Sequence, residues 1–225
     1  MLPDPVRRRP GPTGRRGRAR QPLGDSRAAL LRAAATAFSE RGFDGVTVDE
    51  IARRAAINKA MIYYHFDDKL ALYREIVRDM LRHVGRRVAD IVASSDPPAR
   101  KLDRFIETFV VAADERPYFP TMMLREISEG APRLDADTLK LIRDVFLAFG
   151  RILAEGSTTG VFRAIHPVLA YITVIGPLMF NAARERVAAR PGRANLPMFV
   201  SIPHHDVMRH MQQVAGRMLV KDGRL

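Results

Sequence analysis

The 225-residue chain has no cysteine, which excludes disulfides, thiolate metal sites and cysteine nucleophiles. That composition suits a reducing cytoplasm, the compartment expected here. Long apolar runs are missing too. The longest, Pro167–Phe180, is interrupted by Thr173, Gly176 and Pro177 and is too short to span a bilayer. The N-terminus lacks the apolar core of a secretory signal, so a soluble chain with no membrane partner is expected. There is no Gly-x-Gly-x-x-Gly loop, Walker lysine or Gly-x-Ser-x-Gly elbow. His166, His204, His205 and His210 invite a metal site. However, His205 and His210 at i, i+5 do not share a helical face, and no carboxylate–histidine motif surrounds them. The expectation is no enzyme, no catalytic residues, no metal and no cofactor.

What the chain does have is positive charge. The formal net charge is +12, which favours an anionic partner such as nucleic acid. Half of that excess lies in residues 1–22, where seven arginines face Asp4 alone. Five prolines and three glycines break any helix there, so this stretch reads as a disordered basic arm. Such an arm is either a solvated tail or a segment lying along DNA phosphates or in a flanking minor groove. Arg18 and Arg20, just before the first helix, are best placed for the second role.

Beyond the arm, helical periodicity dominates and strand alternation is hard to find, giving an all-α fold. Asp25 or Ser26 can cap a first helix with Leu30, Ala34, Ala37 and Phe38 on one face, ended by Gly42. Thr47-Val48-Asp49-Glu50 reads as a capping box, with Glu50 reaching back and Val46 and Ile51 at staple spacing. That second helix ends near Arg54. Asn58 caps a third, ending around His65, and Asp68 caps a longer fourth with a stripe of Tyr73, Ile76, Val77, Met80, Leu81 and Val84.

A linker at 94–98 precedes further helices. The first carries Leu102, Phe105, Ile106, Phe109, Val110 and Ala113 on a wide apolar face. Others are expected at Met122–Glu129 after Pro117 and Pro120, at Asp135–Glu155, at about 167–189 and at about 205–220. In the last, Val207, Met211, Val214 and Met218 share one side. Pro177 should bend the helix over 167–189, because it removes a backbone donor.

Two short helices joined by a tight turn, the second rich in polar and aromatic residues, describe a helix-turn-helix. Ile62 and Phe66, spaced i, i+4, anchor the second helix, which leaves Asn58, Lys59, Met61, Tyr64 and His65 facing outward. Over roughly residues 26–82 the sequence resembles the TetR repressors. The resemblance centres on Thr47-Val48-Asp49-Glu50-Ile51-Ala52 and on the run from Ile57 to Lys69, with its Tyr63-Tyr64-His65-Phe66 tract.

The resemblance implies a three-helix DNA-binding domain over 23–84 and a larger helical ligand-binding and dimerisation domain over 85–225. Thr47 would contact phosphate. Asn58, Lys59, Ala60 and Met61 would approach base edges, while Tyr63, Tyr64 and His65 hold the backbone in register. Lys69 would clamp a phosphate. The sequence departs from the family pattern at Ala56 and Ala60, where glycine is frequent, and at Asn58, where serine is commoner. A positive φ at Ala56 would cost about 1 kcal/mol.

The implied partners are double-stranded operator DNA, a second copy of the chain and a small-molecule effector. Large apolar residues that could line an effector cavity or form plain core are Phe105, Phe109, Met122, Met123, Phe146, Phe149, Tyr171 and Phe180, with Arg125 beside them. Dimerisation is expected through the last two helices, with a near-palindromic operator as its consequence. An activator on the same fold reads identically. A nonspecific basic nucleic-acid-binding protein is the rival that charge alone offers.

Overall fold

The computed structural model describes residues 23–189, 197 and 200–221, so the arm with Arg18 and Arg20 lies outside the described residues. Among the described residues nine helices form the fold, and the only extended pairing is an isolated bridge between Phe162 and Val220. The first four helices are α1 (Leu23–Arg41), α2 (Val48–Arg54), α3 (Lys59–His65) and α4 (Lys69–Ala93). The remaining five are α5 (Pro98–Glu115), α6 (Tyr118–Ser128), α7 (Ala136–Thr158), α8 (Pro167–Ala188) and α9 (His204–Leu219).

Local chemistry fixes most helix starts. Thr47, Asn58, Asp68 and Asp135 each accept a backbone N–H through the side chain, capping α2, α3, α4 and α7. Three starts differ from expectation. Helix α1 begins at Leu23, ahead of both suggested caps. Pro98 opens α5 at its first position, and Pro120 sits in the first turn of α6, which starts at Tyr118. Both prolines are tolerated because first-turn N–H groups have no intrahelical acceptor. Helix α8 runs through Pro177.

One core is shared by the whole assembly. Helix α1 packs on α2, α4 and α6, and α4 packs on α5 and α7, so the expected domain boundary at residue 84 falls inside a continuous α4. The expected faces of α1 and α4 are all buried. In α9 the buried set is Met211, Ala215 and Leu219, a strict i, i+4, i+8 stripe, whereas Val214 is exposed. The rings of Phe38, Phe43 and Tyr73 meet within 5.1–5.8 Å and weld α1, its following turn and α4 together. At the far end, Gly156 of α7 admits the ring of Phe162; a Cβ there would lie 2.0 Å from it.

Candidate nucleic-acid interface

The α2–α3 unit is built from the backbone outward. The Thr47 hydroxyl oxygen accepts from the Glu50 amide at 3.3 Å, and its own hydrogen has no acceptor among the described residues. Glu50 does not complete the capping box. Its buried carboxylate turns instead to Arg41 and to Arg54, the latter at 3.0 Å. Through this carboxylate Arg41 ties α1 to α2, and Arg54 holds it from within α2.

The turn between α2 and α3 then closes with the Ile57 amide donating to the Ala52 carbonyl at 3.1 Å. Ala56 takes φ +54°, the left-handed conformation that glycine adopts without strain. The departure from glycine noted in the sequence is therefore a position of real backbone strain.

Helix α3 is held from behind by Ile62 and Phe66, both buried. The Asn58 side-chain oxygen accepts from the Ala60 amide at 2.9 Å, so Asn58 is first of all the cap of this helix. Lys59, Ala60, Tyr63 and Tyr64 are exposed and Met61 is half-buried, so the structure brings the expected reading residues onto one surface. Tyr64, at 74% exposed, is a large aromatic side chain facing solvent. His65 is turned inward, its ring packed against Tyr64 and Phe66 and its Nε2 enclosed without a hydrogen-bond partner. Lys59 reaches back to Asp49 on α2, with Nζ to Oδ2 at 2.9 Å.

Lys69, expected at a phosphate, is held in this structure by the protein's own backbone. Its ammonium donates to the carbonyls of Phe43 and Val46, each at 3.1 Å, and lies 4.1 Å from the centre of the Phe43 ring. The geometry assigns it to fastening the α1–α2 turn. Sequence offered no signal for this, because the turn that receives the lysine lies more than twenty residues earlier.

The residues expected to line an effector cavity mostly pack on one another. Phe105 and Phe149 are fully buried with ring centres 4.8 Å apart, flanked by Phe109 at 5.1 Å from Phe105 and by Tyr171 at 5.6 Å from Phe149. Phe146 stacks edge-on against Tyr171, Met122 and Met123 are buried, and Phe180 is exposed. These residues form an aromatic core, because rings of this size gain more from edge contacts than from facing an empty space. Arg125 is engaged by the backbone at the end of α1. It donates to the Phe38 carbonyl at 3.2 Å and fills the space beside Gly42, which ends α1 with φ +77°.

A cleft of about 260 Å³ does open between α5, α8 and α9, with Phe109 as its one expected member. Leu178 and Val207 continue its apolar wall, and Asp114, Glu185 and His204 bring polar groups to it. His204 pairs with Asp114 at 3.2 Å, and His205 with Asp206 at 3.3 Å.

Residues 30–76, the span holding the capped α2–α3 unit and its buried supports, match the family model described as bacterial regulatory proteins, tetR family. Over that segment the chain is similar to the TetR family. It is 35% identical over 87 residues to the "Biofilm operon icaADBC HTH-type negative transcriptional regulator IcaR" of Staphylococcus aureus, covering 39% of this chain and 47% of that protein. The Staphylococcus epidermidis protein of the same name is 34% identical over 90 residues. The chain thus spans about half the length of the curated relatives it matches.

Solved structures extend the likeness to the whole fold. The TetR family transcriptional regulator PfmR from Thermus thermophilus matches with a TM-score of 0.67 and 26% identity, covering 85% of this chain and 99% of that one. KstR2 of Mycobacterium tuberculosis matches in fold with a TM-score of 0.71 at 22% identity, covering 92% and 98%.

Proposed function

We propose that this protein is a TetR-family transcriptional repressor that binds a near-palindromic operator as a homodimer and is released by a small-molecule effector. The observation that carries the reading is α3 itself: a capped helix, anchored by Ile62 and Phe66, that presents Lys59, Ala60, Met61, Tyr63 and Tyr64 from a basic chain. The named function of the Staphylococcus relatives, negative regulation of transcription, supports repression.

In this reading the free hydroxyl hydrogen of Thr47 donates to a phosphate, and Lys59, Ala60 and Met61 meet base edges. Tyr63 and Tyr64 hold flanking phosphates. Asn58 and His65 act through the shape of α3, as its cap and its packed end. Arg18 and Arg20 of the arm add sequence-independent affinity.

Dimerisation through α8 and α9 is supported by exposed Val168, Leu169 and Ile172 on α8 and Val214 on α9, an apolar face without a partner among the described residues. The effector occupies the cleft between α5, α8 and α9, and its binding shifts α4 and the reading heads away from groove spacing.

Footprinting on the DNA flanking the protein's own gene, followed by affinity for the protected duplex against random duplex at fixed salt, tests the reading. Protection of a two-fold site with a specificity ratio of at least about 10³ is expected. A ratio near one overturns it.

A further inference from the structure

Lys59 is the first residue of α3 and Asp49 the second of α2, so their ion pair bridges the two helix ends that a helix-turn-helix turns towards DNA. Both side chains are solvent-accessible, at 46% and 70% exposure, and Asp49 has no other hydrogen-bond or ion-pair partner among the described residues. An exposed pair of this kind adds little to stability. The neighbouring Glu50 shows the contrast: it is buried and anchors two arginines of the fold. Asp49 instead places a negative charge two residues from Thr47, on a face that must approach phosphates.

We propose that Asp49 is a specificity-determining residue, which converts Lys59 from a phosphate-binding cation into a base-reading donor. This inference rests on the DNA-reading assignment above. A lysine ammonium carries three N–H donors. Asp49 takes one and fixes the position of Nζ, and the remaining two match the O6 and N7 acceptors of a guanine in the major groove. The pair is neutral as a unit, so it releases no counterion when set against a phosphate and contributes nothing to binding on random sequence. The hydrogen bond to Asp49 also raises the pKa of Lys59, so the ammonium keeps all three donors. Without Asp49, Lys59 becomes a free cation on a flexible stem and engages whichever phosphate lies near.

The test compares the full-length wild-type protein with Asp49→Asn and with the double variant Asp49→Asn/Lys59→Gln. Each is titrated with the footprinted duplex and with random duplex of equal length, between 50 and 200 mM salt (about the range over which phosphate contacts are resolved). Asp49→Asn is expected to tighten binding to random duplex about eightfold near 0.1 M salt. Its log–log salt slope should steepen by about 0.9, the signature of one added phosphate contact. The footprinted duplex should gain less, so the specificity ratio falls. In the double variant the slope returns to the wild-type value.

An unchanged slope and ratio in Asp49→Asn overturns the proposal. So does a steeper slope that persists in the double variant, because the effect would then belong to the lost aspartate charge and not to Lys59. A wild-type ratio near one is a different result. It overturns the DNA-reading assignment, and this inference with it.

Discussion

The Tyr73 hydroxyl donates to Glu126 at 2.7 Å, joining α4 to α6 through two side chains closed off from solvent. Burial, and then the adjacent Glu126, push the Tyr73 hydroxyl far above its ordinary range, so it remains a donor. Arg133 completes the site, with Nη1 3.0 Å from the same carboxylate and Nη2 3.2 Å from Asp44 in the α1–α2 turn. Removing the hydroxyl alone leaves Glu126 its arginine, so Tyr73→Phe should cost about 1–2 kcal/mol in urea unfolding. Glu126→Leu strands the Tyr73 hydroxyl and takes from Arg133 its buried partner, leaving it Asp44 and Glu129, and should cost about 3 kcal/mol or more. Equal losses in the two variants would show that the carboxylate is not the hub.

Glu75 gives the fold an acid-sensitive joint. Burial opposes its carboxylate, but hydrogen bonds from Arg82 and Arg27 outweigh that and hold its pKa below the ordinary value. A depressed folded pKa means stability that is present above the unfolded value of about 4.3 and lost as pH falls through the folded value. Glu75→Gln should therefore be less stable at neutral pH and show a shallower acid limb. Denaturant midpoints measured from pH 7 down to about 3 read both effects.

Lys69→Met separates two roles for one lysine. It leaves the carbonyls of Phe43 and Val46 without their shared donor, so a stability loss of about 1–2 kcal/mol is expected, with the salt slope of DNA binding unaltered. A phosphate clamp would give the inverse: normal stability, and a slope shallower by about 0.9.

Ala56→Gly should stabilise the protein. A left-handed alanine costs about 1–2 kcal/mol, and glycine at the same place costs about 0.5–1 kcal/mol of chain entropy. The net gain is about 0.5–1 kcal/mol, read as a higher denaturant midpoint with an unchanged m-value.

Much of the α2–α3 unit was legible because its signals are local. A capping side chain acts within three residues, and an i, i+4 anchor such as Ile62–Phe66 stays on one helix face whatever packs against it. Thr47, Asn58 and Asp68 all cap where the sequence placed them. Pro120 misled because proline marks both the end of one helix and the first turn of the next. The rest depended on distant partners. Glu50 satisfies either a capping box or an arginine, and only the position of Arg41 decides. The aromatic residues of the second half are equally suited to a cavity wall and to a solid core. Their ring-to-ring contacts decide that, and no spacing in the sequence encodes them.

Helix α4 is 25 residues long, or about 37 Å from end to end. Geometry alone then sets the tolerance of the molecule. Pivoting such a rod by roughly 5° about its distal end displaces Lys69 and the turn fastened to it by about 3 Å, a full hydrogen-bond length. In the proposed dimer on one duplex the errors combine, so groove contact can be lost without any helix unfolding or any side chain leaving its rotamer.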